Sequence, residues 1–324
     1  MMERPLPLVS VGKAIAGTVI IAVLMVFIVP LAPVLLAFLS LPVAYVVARY
    51  GWVSGLVAAA VAAGVLYAGL GVGAALLVFL VVVGVGMTLG WALRSGWRLP
   101  RTLWVIAVSL LVALVVYGLV LWLGFGVTPS VLKQDAYQAI NDAAKTYTQL
   151  GMSSATTDAA TSQFRAWVDV FPYVAPGLLG MGAILAAAST IGLAYVVFPK
   201  LRRPQPVRMS LSGFRLHWGL AYVSIVGLAL LLFARGSSGW RGILLYSGID
   251  LLLVSQTLFF LQALAVIRWL GTARQWRPGS RVLMFIVAVL AQAVQVTGLV
   301  GLMDTWIDYR RRFALSGPRS GSLK

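Results

Sequence analysis

Residues 74–93 read Ala-Ala-Leu-Leu-Val-Phe-Leu-Val-Val-Val-Gly-Val-Gly-Met-Thr-Leu-Gly-Trp-Ala-Leu, and residues 102–124 read Thr-Leu-Trp-Val-Ile-Ala-Val-Ser-Leu-Leu-Val-Ala-Leu-Val-Val-Tyr-Gly-Leu-Val-Leu-Trp-Leu-Gly. Neither run carries a charge, and Arg94, Arg98 and Arg101 separate them. A helix needs about 20 apolar residues to pass the hydrocarbon core of a bilayer. In lipid the backbone must satisfy its own hydrogen bonds, so such runs fold as helices. Working outward, seven more runs of this kind follow, and the full set is 12–29, 31–48, 52–71, 74–93, 102–124, 174–198, 217–234, 242–267 and 282–303. The pattern predicts an all-α, polytopic transmembrane bundle of nine spans, with eight as the rival count. Pro33 and Pro42 interrupt the second run, which is expected to be tilted or broken. Trp52, Trp91, Trp97, Trp104, Trp122, Trp218, Trp240, Trp269 and Trp306 fall at or beside run ends, where an amphipathic ring suits the headgroup region.

Composition agrees. The 324 residues are 61% hydrophobic and 10% charged, against about 25% charged in soluble domains, and mean hydropathy is +0.97. The 25 Lys and Arg exceed the 8 Asp and Glu, a net charge of +17. Because the bases lie between apolar runs, the excess reads as positive-inside topology rather than as a nucleic-acid surface. A cytoplasmic N-terminus places Arg4, Lys13, Arg49, Arg94, Arg98, Arg101, Lys200, Arg202, Arg203, Arg208, Arg215, Arg268, Arg274, Arg277 and Arg281 inside. One conflict is built in, since the last run has Arg268–Arg281 before it and Arg310, Arg311 and Arg312 after it. The absence of cysteine excludes disulfides, thiolate metal sites and cysteine nucleophiles. The first apolar run gives no reason to expect a cleaved targeting peptide.

The chain divides into five spans over 1–124, an outer loop over 125–173, a sixth span over 174–198, a basic proline-containing linker over 199–216, three spans over 217–303 and a basic tail over 304–324. In the outer loop Ser130 can cap an amphipathic helix carrying Leu132, Ala136, Ile140, Ala143, Tyr147 and Leu150, ended by Gly151; Ala160, Phe164, Trp167 and Phe171 repeat the pattern. Two helices lying on the outer membrane face or covering the bundle are expected.

Few residues could carry chemistry. A charge near the bilayer centre costs about 2.5–3.5 kcal/mol on insertion scales and is usually functional. Asp250 is the one acid inside an apolar run, about 12 Å along its helix at 1.5 Å per residue. Together with Gln262, Gln292 and Gln295 it forms the candidate set for ligand binding or gating, with helix-to-helix hydrogen bonding as the plain alternative. Ala14, Thr18 and Ala22 form a small-residue ladder on the first span, as do Gly69 with Gly73 and Gly86 with Gly90 further on; such ladders serve internal packing or a docking face for a membrane partner. In the string Gly301–Arg312, helical spacing would ladder Asp304, Asp308 and Arg312 at a solvated helix end, with Arg310, Arg311 and Arg312 as anionic-lipid headgroup candidates. His217 is a lone interfacial residue, no phosphate-binding or dinucleotide fingerprint is present, and no metal or serine-hydrolase set can be assembled. A non-enzymatic protein without cofactor, metal or nucleic-acid partner is expected.

The Gly301–Arg312 string, Leu261–Ile267, Phe171-Pro172 and Phe214-Arg215-Leu216-His217-Trp218 together resemble the YybS-like family of uncharacterised bacterial integral membrane proteins. Ala263 stands where that pattern has glycine, and Asp250 where asparagine is more frequent. The resemblance implies a multi-pass protein of the bacterial cytoplasmic membrane and no assigned reaction. The front half is also similar to substrate-binding subunits of energy-coupling-factor transporters and to the cell-shape protein MreD. This similarity implies that Ala14, Thr18 and Ala22 dock a membrane protein partner. The leading expectation is binding or transport of a small neutral or apolar solute with an energy-supplying partner, in a closed pocket among the first six spans under 130–171. The competing expectation is a membrane scaffold that recruits cell-envelope or division proteins.

Overall fold

The computed structural model describes residues 8–28, 32–198, 211–234 and 239–315, and every regular element among them is helical. In order these are α1 (Leu8–Phe27), α2 (Ala32–Leu39), α3 (Leu41–Tyr50), α4 (Trp52–Val81), a π-helical segment (Val82–Met87), α5 (Thr88–Ser95), α6 (Leu99–Phe125), α7 (Pro129–Gln149), α8 (Ser154–Val197), α9 (Leu220–Phe233), α10 (Gly239–Ala273), α11 (Pro278–Ala291), α12 (Val296–Ile307) and α13 (Tyr309–Leu315). Five helical stretches are long and apolar enough to cross a membrane, or six if α11 and α12 count as one bent span. Large apolar side chains such as Ile20, Phe27, Leu123, Val196, Leu232 and Phe233 are exposed on their outer faces, as lipid-facing surfaces require. Counted as helical stretches, the candidate spans are five or six, against the nine apolar runs read from the sequence.

The second candidate stretch, Trp52–Ser95, is 44 residues long and would measure about 66 Å if straight. Gly71 breaks it with φ 82 and ψ 177, a conformation open to glycine and costly for other residues. Cβ atoms built on Gly55 and on Gly90 would both press on Val47, although 35 residues of straight helix would set them about 50 Å apart. The stretch therefore doubles back at Gly71, and its two arms correspond to the expected runs 52–71 and 74–93. Gly86 and Gly90 seat the second arm against α3: a Cβ on Gly90 would crowd the Ala44 carbonyl, and one on Gly86 would lie 3.0 Å from the Ser40 carbonyl. The second expected run is broken at Ser40, between α2 and α3. Val43, Val46, Val47, Ala58, Val82, Leu89 and Ile106 fill the space between these arms and α6.

Arg94, Arg268, Arg281 and Arg310 collect at one end, whereas Lys133, Lys145, Arg165 and Arg241 belong to the other. Ser10 and Tyr50 hydrogen-bond at 3.0 Å, a Cβ on Gly51 would lie 3.2 Å from Arg94 Nη1, and Leu99, Leu103, Ser212, Phe214, Arg268 and Thr272 line one cavity. The last expected span, 282–303, does not run through. A 3₁₀ turn at Gln292–Val294 and a left-handed Gln295 (φ 62) bend α12 by 100° from α11. A Cβ on Gly271 would lie 3.4 Å from Arg281 beside the start of α11, while Arg310 after α12 reaches the carbonyl of Ser212. The pair enters and leaves at the same basic end, so the two basic flanks that conflict across a straight span lie together.

At the opposite end the expected boundary near residue 173 is absent. α8 runs unbroken from Ser154 to Val197 through Pro172 and Pro176, joining the second amphipathic stretch to the sixth span. α7 packs along its first half through Lys133–Asp169, Tyr137 Oη to Asp169 Oδ1 at 2.7 Å and Arg165 to Asn141 at 2.6 Å. The two helices pair with each other as a hairpin. Its first helix is capped by Thr128, whose hydroxyl accepts from the Val131 amide; Ser130 bonds the Thr128 hydroxyl at 2.7 Å and is not the cap. The Asp169 carboxylate raises the Lys133 pKa. The linker 199–216 is described only from residue 211, and its bases Lys200, Arg202, Arg203 and Arg208 lie outside the described residues, as do Arg4 and residues 316–324 of the tail.

Candidate functional site

Four segments converge at the basic end. From α10, Gln262 (2% exposed) accepts at Oε1 from the Leu216 amide at 3.0 Å and donates from Nε2 to Asp304 Oδ2 at 3.0 Å. The other Asp304 oxygen accepts from the Tyr309 amide at 3.1 Å. Arg310 donates to the carbonyls of Ser212 and Phe214 at 2.7 and 2.8 Å and lies 3.7 Å from Asp304 Oδ2. Asp304 and Arg310 are each 5% exposed. Toward the surface Arg215 pairs with Asp308 at 3.0 Å. Burial lowers the Arg310 pKa, opposed chiefly by Asp304, and a guanidinium so placed stays charged.

The backbone explains how the groups meet. A Cβ on Gly301 would overlap the Phe259 carbonyl, and one on Gly298 would overlap the Gln256 side chain, so two glycines one turn apart let α12 lie directly on α10. Asp308 then turns the chain with φ 45 and ψ 66. That left-handed residue ends the helix, so the expected Asp304–Asp308–Arg312 ladder does not form; Arg310 swings back to Asp304 in place of Arg312. Arg310 is accordingly removed from the exposed lipid-headgroup candidates, while Arg311 and Arg312 are exposed.

The remaining expected site residues do not converge. Asp250 accepts from the Gly177 amide at 3.0 Å, where α8 and α10 touch so closely that a Cβ on Gly177 would strike it. It stands 12 residues from Gln262, about 18 Å along α10. Gln292 accepts from the Gly298 amide at 2.8 Å and donates to Gln295 Oε1 at 3.2 Å; both glutamines serve the break before α12. Ala14, Thr18 and Ala22 are 4%, 0% and 4% exposed, turned inward within the bundle that α1 builds with α3 and α4. The docking ladder is a correction: its small side chains are consumed by packing inside the chain.

A cavity of about 610 Å³ opens beside this network, walled by Leu99 and Leu103 of α6, Ala188, Ile191, Gly192 and Tyr195 of α8, Leu211, Ser212 and Phe214, Leu261 and Arg268 of α10 and Phe285 of α11. Small-molecule sites are typically about 300–1,000 Å³ and mostly apolar. It lies at the end away from 130–171 and between the two halves, not under the outer segment where a pocket was expected. A second concavity of about 570 Å³ shares Ser212 and adds Arg215, Trp269, Asp308, Arg310 and Arg311. Among the described residues no three of His, Asp and Glu come together as metal ligands.

The strings Phe214–Trp218, Leu261–Ile267 and Gly301–Arg312, far apart in sequence, supply this network. Reading them singly missed Asp304 and Arg310 as an interior pair; the signal was the glycine pair at 298 and 301, which required a close neighbour. A family model described as predicted membrane protein (DUF2232) matches residues 16–305. No curated protein and no solved structure matches.

Proposed function

The chain belongs to the DUF2232 family of predicted membrane proteins, and on that premise we propose that it binds a small, mostly apolar solute in the cavity between its two halves. The observation that carries this reading is the cavity itself: its volume suits a small molecule, its walls are mainly aliphatic and aromatic, and both halves contribute to it. The basic end is the cytoplasmic face, by the positive-inside rule. The N-terminus and tail are then both cytoplasmic, with eight crossings and a re-entrant α11–α12 pair, in a bacterial inner membrane protein for which the YybS-like name fits. The role is non-enzymatic. Energy for moving a solute comes from a partner, because Asp250 is the one acid within the apolar runs and ion-coupled carriers normally need ionisable relays there.

Gly192 provides the test. It lines the cavity, and a Cβ there meets nothing within 4 Å, so the leucine of Gly192→Leu starts in open space and projects into the cavity. Small molecules that co-purify with the native protein in membrane-extracted particles should be lost from this variant while its thermal stability holds. Unchanged retention rejects the cavity as the solute site. A scaffold reading draws on a different region, the α7–α8 hairpin with its exposed Phe164, Trp167 and Phe171. Under that reading Phe164→Ser with Trp167→Ser removes co-purifying proteins and leaves the solute in place.

A further inference from the structure

The two concavities at the basic end differ in character and adjoin. The first is lined mainly by aliphatic and aromatic side chains, and the second by Arg215, Arg310 and Arg311 beside Trp269 and Asp308. Ser212 belongs to both walls, and Arg268, in the first, is the chain neighbour of Trp269, in the second. The rim is cationic beyond what its own acids neutralise. Arg215 is matched by Asp308 and Arg310 by Asp304, which leaves Arg268 and Arg311 with no side-chain partner among the described residues. Arg310 also keeps a buried Nε hydrogen without an acceptor, although it is nine-tenths buried and lines the cationic concavity.

We propose that the solute is an anionic amphiphile, its phosphate or carboxylate head held on the rim that Arg268 and Arg311 supply beside Arg310, and its hydrocarbon chain in the apolar slot between α6, α8 and α10. The proposal rests on the reading of the cavity as a solute site and adds the head. Planar guanidinium donors match phosphate and carboxylate oxygens two at a time. A neutral apolar solute would use the slot and leave the rim unmatched. The same head-and-chain chemistry occurs in a bilayer phospholipid with one chain inserted and in a free single-chain amphiphile.

The test uses the full chain in phosphatidylcholine nanodiscs with dodecyl phosphate carrying a photoreactive diazirine at the chain end, and the matching neutral alcohol as its partner probe. Cross-links mapped by mass spectrometry should fall on the segments around Leu103, Gly192 and Leu261, and Gly192→Leu should abolish them for both probes. Arg268→Gln combined with Arg311→Gln should weaken the phosphate probe roughly tenfold or more and leave the alcohol unchanged, as expected for charge-assisted hydrogen bonds. Phosphatidylglycerol added to the discs should compete if the natural occupant is a bilayer lipid and should not if it is a free amphiphile; both results agree with an anionic head. Equal binding of the two probes, or indifference of the phosphate probe to the arginine substitutions, overturns the anionic head and leaves the solute site standing. Absence of cross-links at the cavity walls for either probe, with Gly192→Leu silent, overturns both.

Discussion

The helical arm after Gly71 and the pair that follows Arg277 each bring one helix against another through glycine, but they secure the contact differently. In the front half Gly86 and Gly90 lay the second arm on α3, and what surrounds them is Val43, Ala44, Val47 and Leu89. In the back half Gly298 and Gly301 lay α12 on α10, and the contact is then pinned by Gln262, Asp304 and Arg310. Apolar packing in lipid gains little from the hydrophobic effect, since the tails are as apolar as leucine, so fit decides it. A buried charge pair is weak evidence of net stability but is costly to break from one side. The front half should therefore be sensitive to volume and the back half to charge.

The largest expected effect is Arg310→Ala. It strands Asp304 and two carbonyls, and should cost about 3–5 kcal/mol, read as lost resistance to reversible unfolding in mixed micelles. Adding Asp304→Ala should restore part of that loss, as coupled neighbours do in a double-mutant cycle; purely additive losses would mean the pair does not interact. Next comes Gly90→Leu, which overpacks the arm against Val47 and Ala44 for about 1–3 kcal/mol, with no comparable response to charge changes nearby. Gly71→Ala, at φ 82, should cost about 1–3 kcal/mol through backbone strain. Smallest is Asp250→Asn: the amide oxygen can still accept from the Gly177 amide, so the change should stay within about 0.5 kcal/mol. A large loss there would assign Asp250 a charged role that its single helix-to-helix bond does not require.

Much of the fold was legible because lipid imposes a simple code. The runs at 52–71 and 74–93 were separable in sequence, and Gly71, the last residue of the first, is where the chain reverses. The gathering of Arg94, Arg268 and Arg281 at one end followed from their loops. What was not legible turned on single backbone angles. Gln292 and Gln295 read as polar groups inside a span, whereas they stabilise a break in it, because a side-chain amide that caps a helix start looks the same in sequence as one that binds a ligand. Asp308 looked like a rung of a helical ladder, yet its left-handed conformation redirects Arg310 inward. The ladder Ala14, Thr18 and Ala22 was correctly seen as a face, and its direction was not readable, since small residues serve internal and external contacts alike. The cavity was unreadable for a related reason: its walls come from five separate segments, none of which carries a motif for it.

Both the network and the cavity depend on α11 and α12 entering and leaving at one end of the bundle, which the proposed topology makes cytoplasmic. The sequence contains no cysteine, so Ser280→Cys and Ser316→Cys each introduce a single thiol, one in the first turn of α11 and one after α13. An impermeant maleimide applied to intact cells and to inverted membrane vesicles reports the side directly. Both thiols should be protected in cells and labelled in inverted vesicles; labelling of position 316 in intact cells while position 280 stays protected would mean that the last run crosses the membrane, and would contradict the account.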